Sequence, residues 1–166
     1  MKLRTAILGL ASAAFAAAAW GHGSGHGNKQ PSPRASAPVE EKAFGRAGDP
    51  KKASRTIEID MSDAMRFTPA DISVRRGETV RFMVANSGKQ MHEMVIGTAA
   101  GLKEHAEMMR KHPGMEHDEP FMAHVEPGRK AELVWQFTRA GAFQYGCLIP
   151  GHWEAGMHGK ITVTDK

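Results

Sequence analysis

The stretch Cys147-Leu148-Ile149-Pro150-Gly151-His152-Trp153-Glu154-Ala155-Gly156-Met157 places a thiol, an imidazole and a thioether on one short loop, with glycine and proline between them that let the chain curl. Segments that read as strands flank it. Phe143 to Cys147 precedes it after the Ala140-Gly141 turn, and Lys160 to Thr164 follows. The same rhythm continues upstream. Thr56-Ile57-Glu58-Ile59-Asp60 alternates, as does Ile72-Ser73-Val74. Arg76-Gly77-Glu78 turns into Thr79 to Asn86, and Asn86-Ser87-Gly88-Lys89 turns again toward His92 and the apolar run Met94-Val95-Ile96. Beyond Glu126-Pro127-Gly128, Ala131 to Thr138 sets Leu133, Trp135 and Phe137 on one face. About seven short strands at this spacing predict an all-β sandwich over residues 54–166.

One segment departs from that rhythm. Leu102 to Lys111 has helical spacing and good helix formers, stopped by Pro113-Gly114, so a short helical insertion rich in Met and His is expected over about 99–125. Residues 22–53 are rich in Gly, Ser, Pro and Lys, with Val39 and Phe44 as the large apolar exceptions. Such a stretch buries too little surface to offset its ordering entropy and reads as a disordered tether. Residues 1–21 have the basic start (Lys2, Arg4), the Ala/Leu run and the small residues of a secretory signal peptide, with cleavage after Ala19 or after Gly21. The run is too short and alanine-rich for a membrane span, so an exported, periplasmic protein with no span after cleavage is expected.

Composition narrows the chemistry. Among 166 residues there are 11 Met, 9 His and 1 Cys. A single cysteine excludes an intrachain disulfide framework, a tetracysteine zinc site and a cysteine-only iron–sulfur cluster, and Cys-x-x-Cys-His for haem attachment is missing. The net charge of +4, of which Lys2 and Arg4 supply two, gives no footprint for nucleic acid. A lone thiol in an oxidising compartment needs an occupant, and metal ligation provides one. Two imidazoles and a thiolate with a weak axial thioether suit copper: soft sulfur stabilises Cu(I), nitrogen holds Cu(II). Zinc fits a methionine-containing set less well.

With those residues in place, the chain resembles the cupredoxins, the blue-copper family that includes plastocyanin, azurin, rusticyanin and auracyanin. The resemblance covers residues 54–166, from the Asn86…Gly88…His92 approach to the final Gly159-Lys160-Ile161-Thr162-Val163 strand, and Cys-x4-His-x4-Met matches the rusticyanin and auracyanin spacing. It implies a Greek-key β-sandwich and one type 1 copper, with His92, Cys147 and His152 as equatorial ligands and Met157 as the axial one. Two positions depart from the family's pattern. Glu93 stands where cupredoxins often have an asparagine that ties the two ligand loops together, and Leu148 stands where a small hydroxyl residue is usual.

Enzyme alternatives fail on missing residues. The His-x-His pairs of a multicopper oxidase are absent, a dinuclear copper centre needs a second cysteine, and Glu93 is not followed by the remainder of His-Glu-x-x-His. A cuprous-oxidising activity stays open. The surplus ligands are a separate signal. His105, Met108, Met109 and His112 share a helix face, with docking of the helix as the competing reading for both methionines. Met115, His117, Met122 and His124 follow, and His22 and His26 lie near the N-terminus. All ten are candidate accessory copper ligands. This excess resembles the periplasmic copper-tolerance cupredoxins of Gram-negative bacteria. The expected role is therefore binding and redox cycling of copper in copper tolerance, by a monomer. The alternative is a mobile one-electron carrier meeting a periplasmic redox protein through Ile149, Pro150, His152 and Trp153.

Overall fold

The computed structural model describes residues 39–115 and 117–165. Their strands are β1 (Glu41–Lys42), β2 (Gly45–Ala47), β3 (Arg55–Ser62), β4 (Arg66–Thr68), β5 (Asp71–Arg75), β6 (Thr79–Asn86), β7 (His92–Gly97), β8 (Met122–Val125), β9 (Lys130–Gln136), β10 (Gly141–Gly146) and β11 (His158–Thr164), with one helix, α1 (Ala99–Lys111). Two sheets form, ordered β1-β2-β9-β6-β3-β4 and β5-β11-β10-β7-β8. The β3–β6 and β5–β11 pairs are parallel and the rest antiparallel. Parallel neighbours need a crossover, and here the chain leaves the first sheet after β4, contributes β5 to the second, and returns as β6.

The alternation seen in the sequence decides which face is inside. Ile59 and Met61 of β3, Val80, Phe82 and Val84 of β6, and Leu133 and Trp135 of β9 meet Ile72, Val74, Phe143, Tyr145, Ile161 and Val163 of the other sheet in one buried core. Strand β7 is buried at every position. Met94 and Ile96 face the core, while Val95 faces a second cluster with Leu102, Ala106 and Met109 of α1, Met122 and Leu148. The helix thus covers the outer face of the sheet that carries the ligands. Thr98 caps its start, its side-chain oxygen accepting from Gly101 N–H at 3.1 Å, and Arg110 and Lys111 sit in its last turn, opposite in sign to the helix dipole there.

Two expectations need correction. The tether expected over 22–53 does not extend through 39–53. There β1, β2 and a 3-10 turn at Pro50–Lys52 extend the first sheet, with Arg46 opposite Gln136 and Ala47 opposite Trp135. Phe44 is the cause. Its ring stacks on Trp135 at 5.3 Å and meets Phe121 edge-on at 5.5 Å, and its carbonyl accepts the Trp135 Nε1–H at 2.9 Å. Next to it Gly45 has φ +122°, and a Cβ there would run into the Gln136 carbonyl. One aromatic with a distant partner outweighs the composition of its neighbours. Second, the insertion does not run to 125: α1 begins at Ala99, and Met122–Val125 is a strand of the second sheet paired with β7, His92 opposite Val125 and Glu93 opposite His124. The signal peptide and residues 22–38, His22 and His26 included, lie outside the described residues. No described helix is long and apolar enough to cross a membrane.

Candidate metal centre

His92 opens β7 at the end of a turn held by buried Asn86. The Asn86 amide donates to the carbonyls of Gln90 and Val125, both at 2.8 Å, and its oxygen accepts from Gly88 N–H at 2.9 Å. The other ligands sit where β10 ends and the chain curls toward β11. Cys147 N–H donates to the Met157 carbonyl at 3.0 Å, and Met157 N–H donates to that of His152 at 3.0 Å. Inside this ring His152 N–H donates to the Ile149 carbonyl, and Gly151 and Gly156 both take φ +91°, which side-chain-bearing residues rarely adopt. The curl brings together what the sequence had only in series. One ligand atom from each of His92, Cys147 and His152 falls within 4.8 Å of the others, all three residues are buried, and Met157 is fully buried beside them.

Hydrogen bonding selects the ligand atoms. His92 Nε2 lies 3.1 Å from Asp63 Oδ1; a carboxylate only accepts, so Nε2 is the donor of this bond and Nδ1 is the ring nitrogen left to ligate. That Nδ1 is buried and has no hydrogen-bond partner. Buried polar atoms are rarely left so, and an aimed lone pair without a proton to accept is what a metal ion would fill. Burial pushes the Cys147 thiol up to about 12, so the metal-free site holds S–H, within 3.2 Å of His152 Nδ1. The His152 imidazole is pushed down, first by burial and then by the nearby His92, so it is neutral and able to donate a lone pair.

Two carboxylates complete the surroundings. Asp63 accepts from Lys89 N–H at 2.8 Å and Gln90 N–H at 3.3 Å, and these bonds, led by that of Lys89, keep its carboxyl below the usual range. Glu93, 3% exposed, accepts the Leu148 N–H at 2.8 Å and pairs with His124 Nε2 at 2.9 Å. The departure at Glu93 is thereby accounted for: its carboxylate reaches the cysteine loop and ties it to β7. Leu148 departs because it is part of the apolar cluster under α1. Sequence reasoning missed Asp63 altogether, since it lies 29 residues from His92 with no motif to link them.

The sequence profile described as "Copper binding proteins, plastocyanin/azurin family" matches residues 53–164. The chain belongs to this family. As a cupredoxin it is most similar to copper-resistance forms. It is 50% identical over 165 residues to the "Copper-resistant cuproprotein CopI" of Rubrivivax gelatinosus, covering 97% of this chain and 96% of that one. To the protein of the same description from Pseudomonas aeruginosa it is 39% identical, over 76% of this chain and 85% of the other. Among solved structures, auracyanin B superposes with a TM-score of 0.60 at 19% identity, covering 77% of this chain and 99% of that one. A reduced auracyanin from Roseiflexus castenholzii gives 0.59 at 22%, covering 68% and 98%. These likenesses show the fold.

The donor set of this cupredoxin fits copper: two imidazole nitrogens, a sulfur that binds as thiolate, and a buried thioether. The surplus ligands divide into three groups. Met109 and Met122 are buried in the cluster under α1 and act as packing. Met108 and Met115 are exposed, His112 caps the helix end in solvent, and His124 is engaged by Glu93. His105 and His117 come together, Nε2 to Nε2 at 2.5 Å, and His117 Nδ1 is buried without a partner. A cleft of about 780 Å³ lies over the main site, lined by Met91, Met109, Met115, His117, His124 and His152 among others.

Proposed function

We propose that this cupredoxin binds one type 1 copper through His92 Nδ1, Cys147 Sγ and His152 Nδ1, with Met157 Sδ as the weak axial ligand, and cycles it in periplasmic copper tolerance. The observation that carries the reading is the buried, unpartnered His92 Nδ1 beside the Cys147 and His152 donors. Bound copper supplies a one-electron couple between Cu(I) and Cu(II). The chain's own contribution is a fixed cage. The Cys147–Met157 backbone ring, Asn86 and Glu93 would hold the four donors in place in either oxidation state, so little rearrangement would accompany electron exchange with a periplasmic redox protein. His152 lines the cleft and, at 8% exposed against 0% for the other three donors, is the ligand through which the electron would pass.

Tolerance is favoured by the names of the relatives and by the extra ligands around that cleft. The His105–His117 pair is the best-formed candidate for an accessory copper site: its two Nε2 atoms face each other at hydrogen-bond distance, and the same two imidazoles would serve as nitrogen ligands once the rings part to admit an ion. The exposed thioethers of Met91 and Met115 add soft donors suited to Cu(I) at the cleft.

Loading with Cu(II) should give an intense thiolate-to-copper band. Cys147→Ser should abolish it and impair growth at high copper while leaving growth at low copper near normal. A colour that survives in Cys147→Ser sinks the ligand assignment. Respiratory failure of that strain at low copper would overturn tolerance in favour of electron carriage. Replacing His105 and His117 together should lower copper bound beyond the first equivalent and leave the band unchanged; an unchanged stoichiometry removes the accessory site.

A further inference from the structure

Asp63 lies outside the ligand set, on the turn after β3, yet its carboxylate has three tasks in one place. It accepts the His92 Nε2–H at 3.1 Å and, through both oxygens, the backbone N–H groups of Lys89 and Gln90. The approach is built for it. A Cβ on Gly88 would collide with the Asp63 carboxylate, so glycine there lets the turn before His92 close onto the acid. Ser87 reinforces the contact from the same side, its hydroxyl donating to the neighbouring Asp60 at 2.8 Å and its N–H to the Met61 carbonyl at 2.9 Å.

We infer that Asp63 is a positioning residue for the copper site, a carboxylate that fixes His92 in the tautomer with Nδ1 free and strengthens its donation to Cu(II). The reasoning is electrostatic and geometric. A neutral histidine with an unengaged Nε2 can place its proton on either nitrogen, and only one choice leaves a lone pair facing Cys147 and His152. An acceptor-only group at Nε2 removes the wrong choice. Because that acceptor is an anion, it also raises the electron density that the ring offers at Nδ1, and the more highly charged Cu(II) gains more from this than Cu(I). The effect therefore works against a high reduction potential. This deepens the copper reading of the site and rests on it.

Two variants separate the parts. Asp63→Asn keeps an amide of the same shape and removes the charge; its Cu(II) affinity should fall roughly 10-fold, within the range typical of such outer partners, with a smaller loss for Cu(I) and hence a higher potential. Asp63→Ala removes the acceptor. In the metal-free protein, nitrogen NMR of His92 should change from a single Nε2–H tautomer in the wild type to a mixture. If Asp63→Ala does not fold, Asp63→Asn decides by potential alone. An unchanged ratio of Cu(II) to Cu(I) affinity in Asp63→Asn overturns the inference, as does a single Nε2–H tautomer persisting in folded Asp63→Ala. Failure of the copper reading looks different: the wild type itself would then take up no copper, while the tautomer result would stand.

Discussion

Replacing Glu93 by alanine is expected to destabilise the metal-free protein, because this carboxylate is buried where β7, paired there with β8, faces the cysteine loop, and it accepts the Leu148 N–H of that loop. Three losses combine. The Leu148 N–H, 2.8 Å from Glu93 Oε1 in a buried environment, is left without an acceptor, which costs about 1–3 kcal/mol. The pair with His124 at 2.9 Å disappears; the His124 side chain is 32% exposed, so solvent screening limits this to at most about 1 kcal/mol. The third loss is the packing of the side chain's methylenes, about 0.8 kcal/mol for each one buried. Together these give about 2–5 kcal/mol, a large share of the roughly 5–15 kcal/mol that holds a domain of this size folded. Glu93→Gln keeps an oxygen acceptor for Leu148 and loses only charge, so it should cost about 1 kcal/mol or less. Urea unfolding of metal-free wild type, Glu93→Ala and Glu93→Gln measures all three midpoints with copper excluded. Equal losses for the two variants, or an alanine loss under about 1 kcal/mol, would refute the idea that the tie to Leu148 matters.

Further outcomes test other parts of the structure. The Glu93 carboxylate holds His124 above the ordinary histidine value of 6.5, so the stabilisation from protonated His124 is complete below 6.5 and is lost as pH rises through the raised value. Urea midpoints between pH 6 and 8 should fall more steeply for wild type than for His124→Asn, and parallel curves would contradict this. Burial of Cys147, with its thiol pushed up to about 12, predicts no alkylation by iodoacetamide at pH 8 in the folded metal-free protein and rapid labelling in denaturant. Labelling of the native protein at the denatured rate would show the loop to be open. Phe44→Ala should cost about 2–4 kcal/mol, less than a fully buried phenylalanine because the ring is half-buried, and should release β1 and β2 to proteolysis ahead of the core. Proteolysis of that variant at the wild-type rate would mean that Phe44 does not hold the edge.

What the sequence determined by itself is local. Strands β3, β6, β9 and β11 were legible because side chains on a strand alternate between core and solvent, and the alternation is written in adjacent residues. The Cys147–Met157 loop was legible for the same reason: three donors and the glycines that curl them are neighbours in the chain, and with His92 they match the cupredoxin pattern. Tertiary structure decided whatever depends on strand order and register. Phe44 and Trp135 stand 91 residues apart, Glu93 and Leu148 55 apart, and Asp63 and His92 29 apart, and each pair meets only once the sheets are assembled. The helix shows the same division. Its spacing gave one face to His105, Met108, Met109 and His112, but only packing on β7 buried Met109, left Met108 in solvent and turned His105 toward His117. A chain encodes its periodicities in neighbouring residues; which distant side chain answers a buried donor or lone pair is fixed by the packing of whole elements, and no short stretch of sequence contains it.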